Sequence, residues 1–269
     1  QDLFVKFFGK CLKRLKDEFG DSIKVGGPAM CSLKSFNGHD NVFYFRKILE
    51  ECRRIGVKPD FLSWHGYRDD PDSYFEEMKS ATALCEEFGF GGCELIINEW
   101  HYLGPYDWAG LSSLDPGVQH EIWHGPHGHN GIDSSCFNLA VLTRFQDSPL
   151  SQAYYYGCRH TGSWGYKDAL NNKYKVYYGL KMFGDFIKAY PKRCEATGEN
   201  PEGRACVTVI AAKGSEGKGK AFIVSDYVSG AKELRVEVKG VAPGERPKVM
   251  IHDHERDFAP AEFDFAQGV

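Results

Sequence analysis

Helical and strand-like patterns alternate along the first 190 residues, and this alternation restricts the possible folds more than any other feature of the chain. Apolar residues recur at helical spacing in five segments, over about 1–19, 42–56, 72–88, 135–146 and 174–189. Short apolar runs lie between them, near residues 23, 61, 94 and 152. Strands that alternate with helices at this spacing join by right-handed crossovers into a parallel sheet. The sequence therefore predicts an α/β domain with four parallel strands.

The pattern changes to a period of two beyond residue 204. Four short β-rich runs follow, separated by Gly, Lys and Pro turns: Cys206–Ala212, Ala221–Tyr227, Leu234–Val238 and Lys248–His252. They predict a small antiparallel β domain. The Pro- and Gly-containing stretch 191–203 marks the boundary. The predicted domains are therefore residues 1–190 and 191–269.

Composition excludes several classes of function. The chain has 269 residues and a formal net charge of −4, so its surface has no general attraction for nucleic acid or an anionic membrane. No run of eighteen apolar residues is present, so no membrane-spanning helix is predicted. The nine cysteines form no CxxC pair, which favours reduced, buried thiols over a zinc or disulfide framework. The expected partner is a neutral small molecule.

Polar and aromatic residues follow three of the four predicted strands. The second strand ends at His65-Gly66-Tyr67 and the third at Asn98-Glu99-Trp100, while Arg159, His160 and Trp164 follow the fourth. Functional residues of parallel α/β folds collect at these carboxyl ends. Alternation predicts that Leu95, Ile97 and Glu99 share one face, and that His65 and Tyr67 share a face of the neighbouring strand. Glu99, His65 and Tyr67 would then meet at the mouth of a barrel.

A different pattern suggests a metal site. His120-Glu121-Ile122-Trp123-His124 matches HExxH, in which two histidines one helical turn apart bind zinc and the glutamate acts as general base. Gly125-Pro126 follows at once, however, and proline disfavours continuation of the helix that such a site needs. The alternative interpretation is a loop that shapes a substrate site. His252-Asp253-His254 is a lesser cluster of the same kind, for which solvated turn residues are the preferred explanation.

Several segments together resemble a known enzyme family. Lys24-Val25-Gly26-Gly27-Pro28-Ala29, the segment 60–67 and Ile96-Ile97-Asn98-Glu99-Trp100 are similar to the fifth, sixth and seventh strand motifs of clan A glycoside hydrolases. The resemblance is closest to glycoside hydrolase family 39, which includes β-xylosidases and α-L-iduronidases. Residues 147–156, Trp164 and 177–180 resemble the eighth strand and helix of that family. The likeness covers about residues 1–190 in order.

The resemblance implies a fold and an activity. The fold would be the C-terminal half of a (β/α)8 barrel, strands 5–8, followed by a small antiparallel β-sandwich-like domain. The function would be retaining hydrolysis of O-glycosidic bonds, with Glu99 as the nucleophile. His65, Tyr67, Trp100 and Trp164 would contact an oligosaccharide or glycoside substrate. No metal or other cofactor is implied. The alternatives are a zinc-dependent hydrolase that uses HExxH and a non-catalytic carbohydrate-binding protein.

One part of the family pattern has no counterpart in this sequence. A retaining mechanism requires a second carboxyl group about 5–5.5 Å from the nucleophile, as acid/base. In the family this is the Glu of an Asn-Glu-Pro motif at the end of the fourth strand, and the chain contains no such tripeptide. We therefore expect the first four strands, the acid/base and any signal peptide to lie upstream of Gln1. An N-terminal barrel half or a second chain would cover the open barrel, and the chain alone is expected to have little activity.

Overall fold

The computed structural model describes residues 2–33, 41–104, 110–157, 164–198, 206–217, 219–231, 234–239 and 247–262. Contacts divide the chain into two compact units. The first consists of residues 1–103 and 144–157, and the second of residues 104–143 and 158–269. This division differs from the predicted domain boundary near residue 190, which stays a prediction. Arg159 and His160 lie outside the described residues.

The first unit contains a four-stranded parallel sheet. Its elements in chain order are α1 (Asp2–Phe19), β1 (Gly27–Met30), α2 (Asn41–Ile55), β2 (Phe61–Arg68), α3 (Ser73–Glu87), β3 (Glu94–Tyr102) and β4 (Leu150–Tyr155). The strand order is β1-β2-β3-β4, and every neighbouring pair is parallel. The predicted alternation of helices and strands and the parallel sheet are thus confirmed.

The second unit combines helices with two small antiparallel sheets. It contains α4 (Pro116–His124), most of α5 (Ile132–Phe145) and α6 (Lys175–Ala189). One sheet has the order β5-β6-β7, formed by Lys192–Cys194, Cys206–Lys213 and Lys220–Tyr227. The other pairs β8 (Val249–His252) with β9 (Asp257–Ala261). None of the described helices is both long and apolar enough to cross a membrane.

Aromatic packing forms the core of the first unit. Trp64 and Trp100 are fully buried on β2 and β3. The ring of Tyr74 on α3 meets Trp100 edge-on at 6.4 Å and Phe145 at 5.4 Å between centroids. Gly66 is needed beneath this ring, because a Cβ there would lie 2.4 Å from Cε1 of Tyr74. Every second residue of β2 faces the helices, and these residues therefore belong to the core.

The core of the second unit lies between two helices and a sheet. Leu139 of α5, Phe183 and Phe186 of α6, and Ile210 and Ile223 of β6 and β7 form one buried cluster. Burial alternates along β6, as expected for a strand that covers a core with one face only. The period-two pattern of these two strands thus gave a correct prediction, whereas the sandwich-like arrangement stays a prediction.

The structure differs from the sequence-based expectation at five elements. The predicted first strand near Ile23–Val25 begins later, at Gly27, and the Val25 N–H donates to the Asp60 carboxylate at 2.6 Å. Leu234–Val238 is not a strand. Leu234, Val236 and Val238 are exposed, and no described strand pairs with them. Helix α4, β5 and β9 were not predicted, although Asp115 and Pro116 provide an N-cap and an N1 proline for α4.

Candidate active site

A β-bulge in β3 determines the direction of the Glu99 side chain. Trp64 pairs with Ile97, but the next residue of β2, His65, pairs with Glu99, so Asn98 is the extra residue. Ile97 lies against Gly66 on the face that carries the helices. Strict alternation would place Glu99 on that same face. The bulge instead turns Glu99 to the opposite face, so the predicted common face of Leu95, Ile97 and Glu99 is wrong.

Glu99, Tyr67 and His65 lie together on this opposite face. The Tyr67 hydroxyl donates a hydrogen bond of 2.8 Å to Oε2 of Glu99. Nδ1 of His65 lies 3.4 Å from the same oxygen. Side-chain exposure is 31% for Glu99 and 21% for His65, so the carboxylate is shielded but still open to a ligand. The structure therefore brings together three of the five residues that the sequence singled out.

The surroundings fix the protonation state of the two neighbours of Glu99. Burial raises the pKa of Tyr67, and the hydrogen bond to Glu99 raises it further, so the phenol stays protonated and donates. Burial lowers the pKa of His65 by more than the nearby Glu99 carboxylate raises it. The imidazole is therefore neutral at pH 7. Glu99 therefore has a neutral imidazole and a protonated phenol as its neighbours.

Tyr156 belongs to the same cluster and was not predicted as a site residue. Its ring meets Tyr67 edge-on, with 5.8 Å between the centroids. The backbone N–H of Tyr156 donates to the carbonyl oxygen of Trp100 at 2.9 Å, which extends the β3–β4 pairing past the end of β4. The position of Tyr156 immediately after a parallel strand was the available signal, since the loops that follow such strands carry function.

A concave pocket of about 530 Å³ opens on the same face of the sheet. Phe61 and Ser63 of β2, Ile96 and Asn98 of β3, and Tyr154 of β4 line it, together with residues of α1 and the 26–29 segment. Within the described part of the chain, the buried Oδ1 of Asn98 has no hydrogen-bond partner. The pocket lining combines apolar and polar groups, as small-molecule sites usually do, but it does not include Glu99, His65 or Tyr67.

The two tryptophans predicted to bind substrate occupy other surroundings. Trp100 is 1% exposed, and its ring meets Phe145 and Tyr155 at centroid distances of 5.7 and 5.0 Å. This burial argues against contact between the Trp100 indole and a ligand. Trp164 belongs to the second unit, where it packs edge-on against Trp123 at 4.9 Å. Its contact with substrate stays a prediction.

The HExxH segment forms a short helix that ends at the second histidine. Helix α4 stops at His124, and Gly125 adopts an extended conformation. The rings of His120 and His124 are neighbours, 5.4 Å apart, and that of His124 also lies 5.0 Å from Tyr174. Across the described parts of the chain, no group of three or more His, Cys, Asp or Glu side chains is placed to hold a metal ion. No described arrangement thus favours a zinc site.

His252 and Asp253, from the second metal-like cluster, bind protein groups. The His252 side chain is 4% exposed, and its Nε2 lies 3.0 Å from the Ser135 hydroxyl oxygen. Nδ1 of the same ring faces Asp257 at 3.3 Å. The Asp253 carboxylate accepts hydrogen bonds from Arg256. Because Ser135 is itself fully buried, the Ser135–His252–Asp257 arrangement is a structural network and not an accessible nucleophile.

Comparison with known proteins shows that the chain is similar in fold to solved structures. No protein-family model matches the chain, and no curated protein matches it significantly. Among solved structures, a glucosidase from Croceicoccus marinus is similar, with a TM-score of 0.61 and 18% identity over 84% of this chain and 44% of that chain. The fold is similar to that of glycosidases.

Two further structures support this likeness. A GH39 β-xylosidase from Caulobacter crescentus has a TM-score of 0.51 and 14% identity, over 80% of this chain and 42% of that chain. An arabinofuranosidase has a TM-score of 0.53 and 15% identity, over 83% of this chain and 47% of that chain. The chain thus spans less than half the length of each structure. The predicted resemblance to glycosidases, family 39 β-xylosidases included, is confirmed for the fold.

Proposed function

We propose that this chain carries the nucleophile of a retaining glycoside hydrolase of the β-xylosidase type, and that Glu99 is that nucleophile. The observation that carries the proposal is the position of Glu99. It lies near the carboxyl end of a parallel strand, beside a concave face, and it accepts a 2.8 Å hydrogen bond from a protonated tyrosine. The structural neighbours include a glucosidase, β-xylosidases and an arabinofuranosidase, whose names all describe hydrolysis of glycosides.

The geometry suits the first step of double displacement. An oxygen of Glu99 attacks the anomeric carbon, a bond forms between them, and the bond to the leaving-group oxygen breaks. The Tyr67 hydroxyl holds the attacking carboxylate in place. The neutral His65 ring, which is partly exposed beside Glu99, can exchange hydrogen bonds with sugar hydroxyl groups. Water then releases the sugar from the glycosyl–enzyme intermediate.

The leaving group needs a proton, and we propose that its donor lies outside these 269 residues. The sequence contains no Asn-Glu-Pro, and the chain matches less than half of each structural neighbour. The four strands of the first unit would correspond to strands 5–8 of a (β/α)8 barrel, and the β-rich remainder to a sandwich-like accessory domain. The acid/base, with the strands that cover the concave face, would come from an N-terminal barrel half or another chain.

A glycoside with a very good leaving group tests the nucleophile without the acid/base. We expect a 2,4-dinitrophenyl 2-deoxy-2-fluoro-β-xyloside to form a stable adduct, since dinitrophenolate departs without protonation and the fluorine slows hydrolysis of the intermediate. Intact mass spectrometry would detect the fluoroxylosyl group, and peptide mapping would locate it on Glu99.

The variant that removes the proposed nucleophile and its matched control both lie on β3. Glu99→Gln should abolish the adduct, whereas Glu94→Gln, at the amino end of β3, should retain it. An adduct on another residue, or one that forms equally well in Glu99→Gln, would reject Glu99 as the nucleophile. Absence of any adduct in the wild-type chain at saturating reagent would reject the proposal that this chain carries a competent nucleophile.

A further inference from the structure

The Arg68 side chain contacts the backbone of Tyr67, the residue whose hydroxyl group binds Glu99. Nη1 of Arg68 donates to the carbonyl oxygen of Tyr67 at 2.7 Å. Successive side chains of a strand point to opposite faces, and Arg68 accordingly reaches α3 and not the candidate site. Arg68 therefore touches the tyrosine of the site from the other face of β2.

Further hydrogen bonds hold the Arg68 guanidinium group in one orientation. Its Nε donates to Oε1 of Glu77 on α3 at 3.0 Å, and its Nη2 donates to the same oxygen and, at 2.8 Å, to the Ser32 hydroxyl. Oε2 of Glu77 accepts the Nε1–H of Trp64 at 3.0 Å. Side-chain exposure is 17% for Arg68 and 1% for Glu77. The guanidinium group is thus tied to α3, to the segment after β1 and to its own strand.

The end of β2 needs such a contact because β1 stops before it reaches Tyr67. In the described part of the sheet, the pairing of β1 with β2 ends at Trp64, three residues before Tyr67. The carbonyl oxygen of Arg68 accepts the N–H of Leu103, which follows β3. Carbonyl groups of successive residues in a strand point to opposite sides, so that of Tyr67 points to the side where β1 has ended. Nη1 of Arg68 takes the place of a strand neighbour there.

We propose that Arg68 is a positioning residue that acts on Glu99 through Tyr67, an inference that rests on the proposed function of Glu99. The guanidinium group fixes the free end of β2 and with it the direction of the Tyr67 hydroxyl. The 2.8 Å hydrogen bond from that hydroxyl then holds the attacking oxygen of Glu99 in one place. A lysine carries the same charge but lacks the planar fork, so it can pair with Glu77 without also bonding Ser32 and the Tyr67 carbonyl.

Single-turnover release of dinitrophenolate from the fluoroxyloside tests this role in the whole chain. Arg68→Lys should lower the maximum rate of adduct formation by about 3- to 10-fold, as expected for the loss of one hydrogen bond. The half-saturating concentration of the reagent should not change, because Arg68 lies on the other face of β2. In the Tyr67→Phe background the same substitution should have no further effect. Arg54→Lys is the matched control, since Arg54 pairs with Glu51 within α2 through Nε and Nη2.

Two kinetic results would contradict the positioning role of Arg68. One is an equal maximum rate in the wild type and in a folded Arg68→Lys chain. The other is an Arg68→Lys effect of full size in the Tyr67→Phe background, because Arg68 would then act independently of the Tyr67 hydroxyl. If Arg68→Lys does not fold, Ser32→Ala replaces it, since this variant removes one contact of the guanidinium group and keeps its Glu77 pair. It should slow adduct formation about 2-fold, and an unchanged rate would count against the proposal.

A measurement without catalysis separates this proposal from the assignment of Glu99. Fluorotyrosine is incorporated in place of Tyr67, and its fluorine resonance is recorded by NMR with and without Glu99→Gln. The resonance should move when the carboxylate acceptor is lost, and it should move much less in the Arg68→Lys background. Equal movement in both backgrounds would contradict the role of Arg68 whether or not an adduct forms. An Arg68-dependent movement in a chain that forms no adduct would instead reject Glu99 as the nucleophile and support the link from Arg68 through Tyr67 to Glu99.

Discussion

At the scale of single residues, removal of the Tyr67 hydroxyl group tests the candidate site. It donates to Oε2 of Glu99 at 2.8 Å. A hydrogen bond to a charged group contributes about 1.5–3 kcal/mol, so Tyr67→Phe should slow formation of the fluoroxylosyl adduct by about 10- to 100-fold. The rate is measured by the release of dinitrophenolate under single-turnover conditions.

Tyr44 on α2 provides the control for this measurement. Its hydroxyl oxygen is buried and has no hydrogen-bond partner among the residues that the structure describes, so Tyr44→Phe removes the same atom and no described hydrogen bond. We expect the Tyr44→Phe adduct to form at the wild-type rate. Equal rates in the wild type and Tyr67→Phe would show that the Tyr67 hydroxyl does not assist Glu99.

The residues of the site were largely visible in the sequence, but their orientation was not. His65, Tyr67 and Glu99 each lie at or near the end of an apolar run, and that position alone brings them to one end of a parallel sheet. The bulge at Asn98 could not be predicted, because it depends on pairing with β2 and not on any local pattern. Because of this bulge, Glu99 faces the candidate site and Trp100 faces the core, whereas strict alternation from Ile97 would exchange their faces.

At the scale of elements, a buried ion pair attaches α3 to β2. Glu77 on α3 is 1% exposed and accepts hydrogen bonds of 3.0 Å from Nε1 of Trp64 and from Nε of Arg68. Glu77→Ala would leave the Arg68 charge and the Trp64 N–H without this acceptor. Removal of one partner from a buried pair costs about 3–5 kcal/mol. The loss is measured as the change in free energy of unfolding in urea.

The neighbouring residue on α3 supplies the matched control. Glu76 is 64% exposed and forms a surface ion pair with Lys79. Glu76→Ala should change the free energy of unfolding by at most about 0.5 kcal/mol. If the two variants proved equally stable, the Glu77 contacts would not be what holds α3 to β2.

Some helices and strands were predicted correctly from the sequence and others were not, depending on the pattern that each one shows. Long amphipathic segments such as α1, α2 and α6 were predicted within a few residues, because one repeating face must be buried. Two short strands, β5 and β9 with three and five residues, were not predicted. Val236 and Val238 followed a strand-like alternation, but among the described residues they have no strand to pair with. Alternation predicts a strand only where a partner exists.

At the scale of the whole molecule, each unit contains a buried histidine that resists protonation. In the first unit, Nδ1 of His101 faces the carbonyl oxygen of Tyr102 at 2.7 Å, and Nε2 faces the Tyr155 hydroxyl at 2.9 Å. Burial lowers the pKa of His101 to about 4. In the second unit, burial also lowers the pKa of His252. Both rings are therefore neutral in the folded protein at pH 7, and both would accept protons more readily in the unfolded chain.

Stability should consequently fall as the pH falls. A histidine has a pKa of about 6.5 in an unfolded chain, so between pH 6.5 and the folded pKa the unfolded state binds more protons. The stabilisation is fully present above pH 6.5 and is lost progressively below it. For His101, a change from pH 7 to pH 5 removes about 2 kcal/mol. We expect the free energy of unfolding of the intact chain to decrease over this interval.

Replacement of each histidine by asparagine, which does not titrate, shows which histidine causes this decrease in stability. His101→Asn should flatten the dependence by about 2 kcal/mol between pH 7 and pH 5, with a smaller effect from His252→Asn, whose Asp257 neighbour opposes the shift caused by burial. His254→Asn is the control, since it replaces an exposed histidine by the same residue. Urea unfolding followed by circular dichroism at several pH values provides the comparison. An unchanged slope in the His101→Asn variant would mean that His101 is protonated equally in both states, which would contradict its burial between Tyr102 and Tyr155.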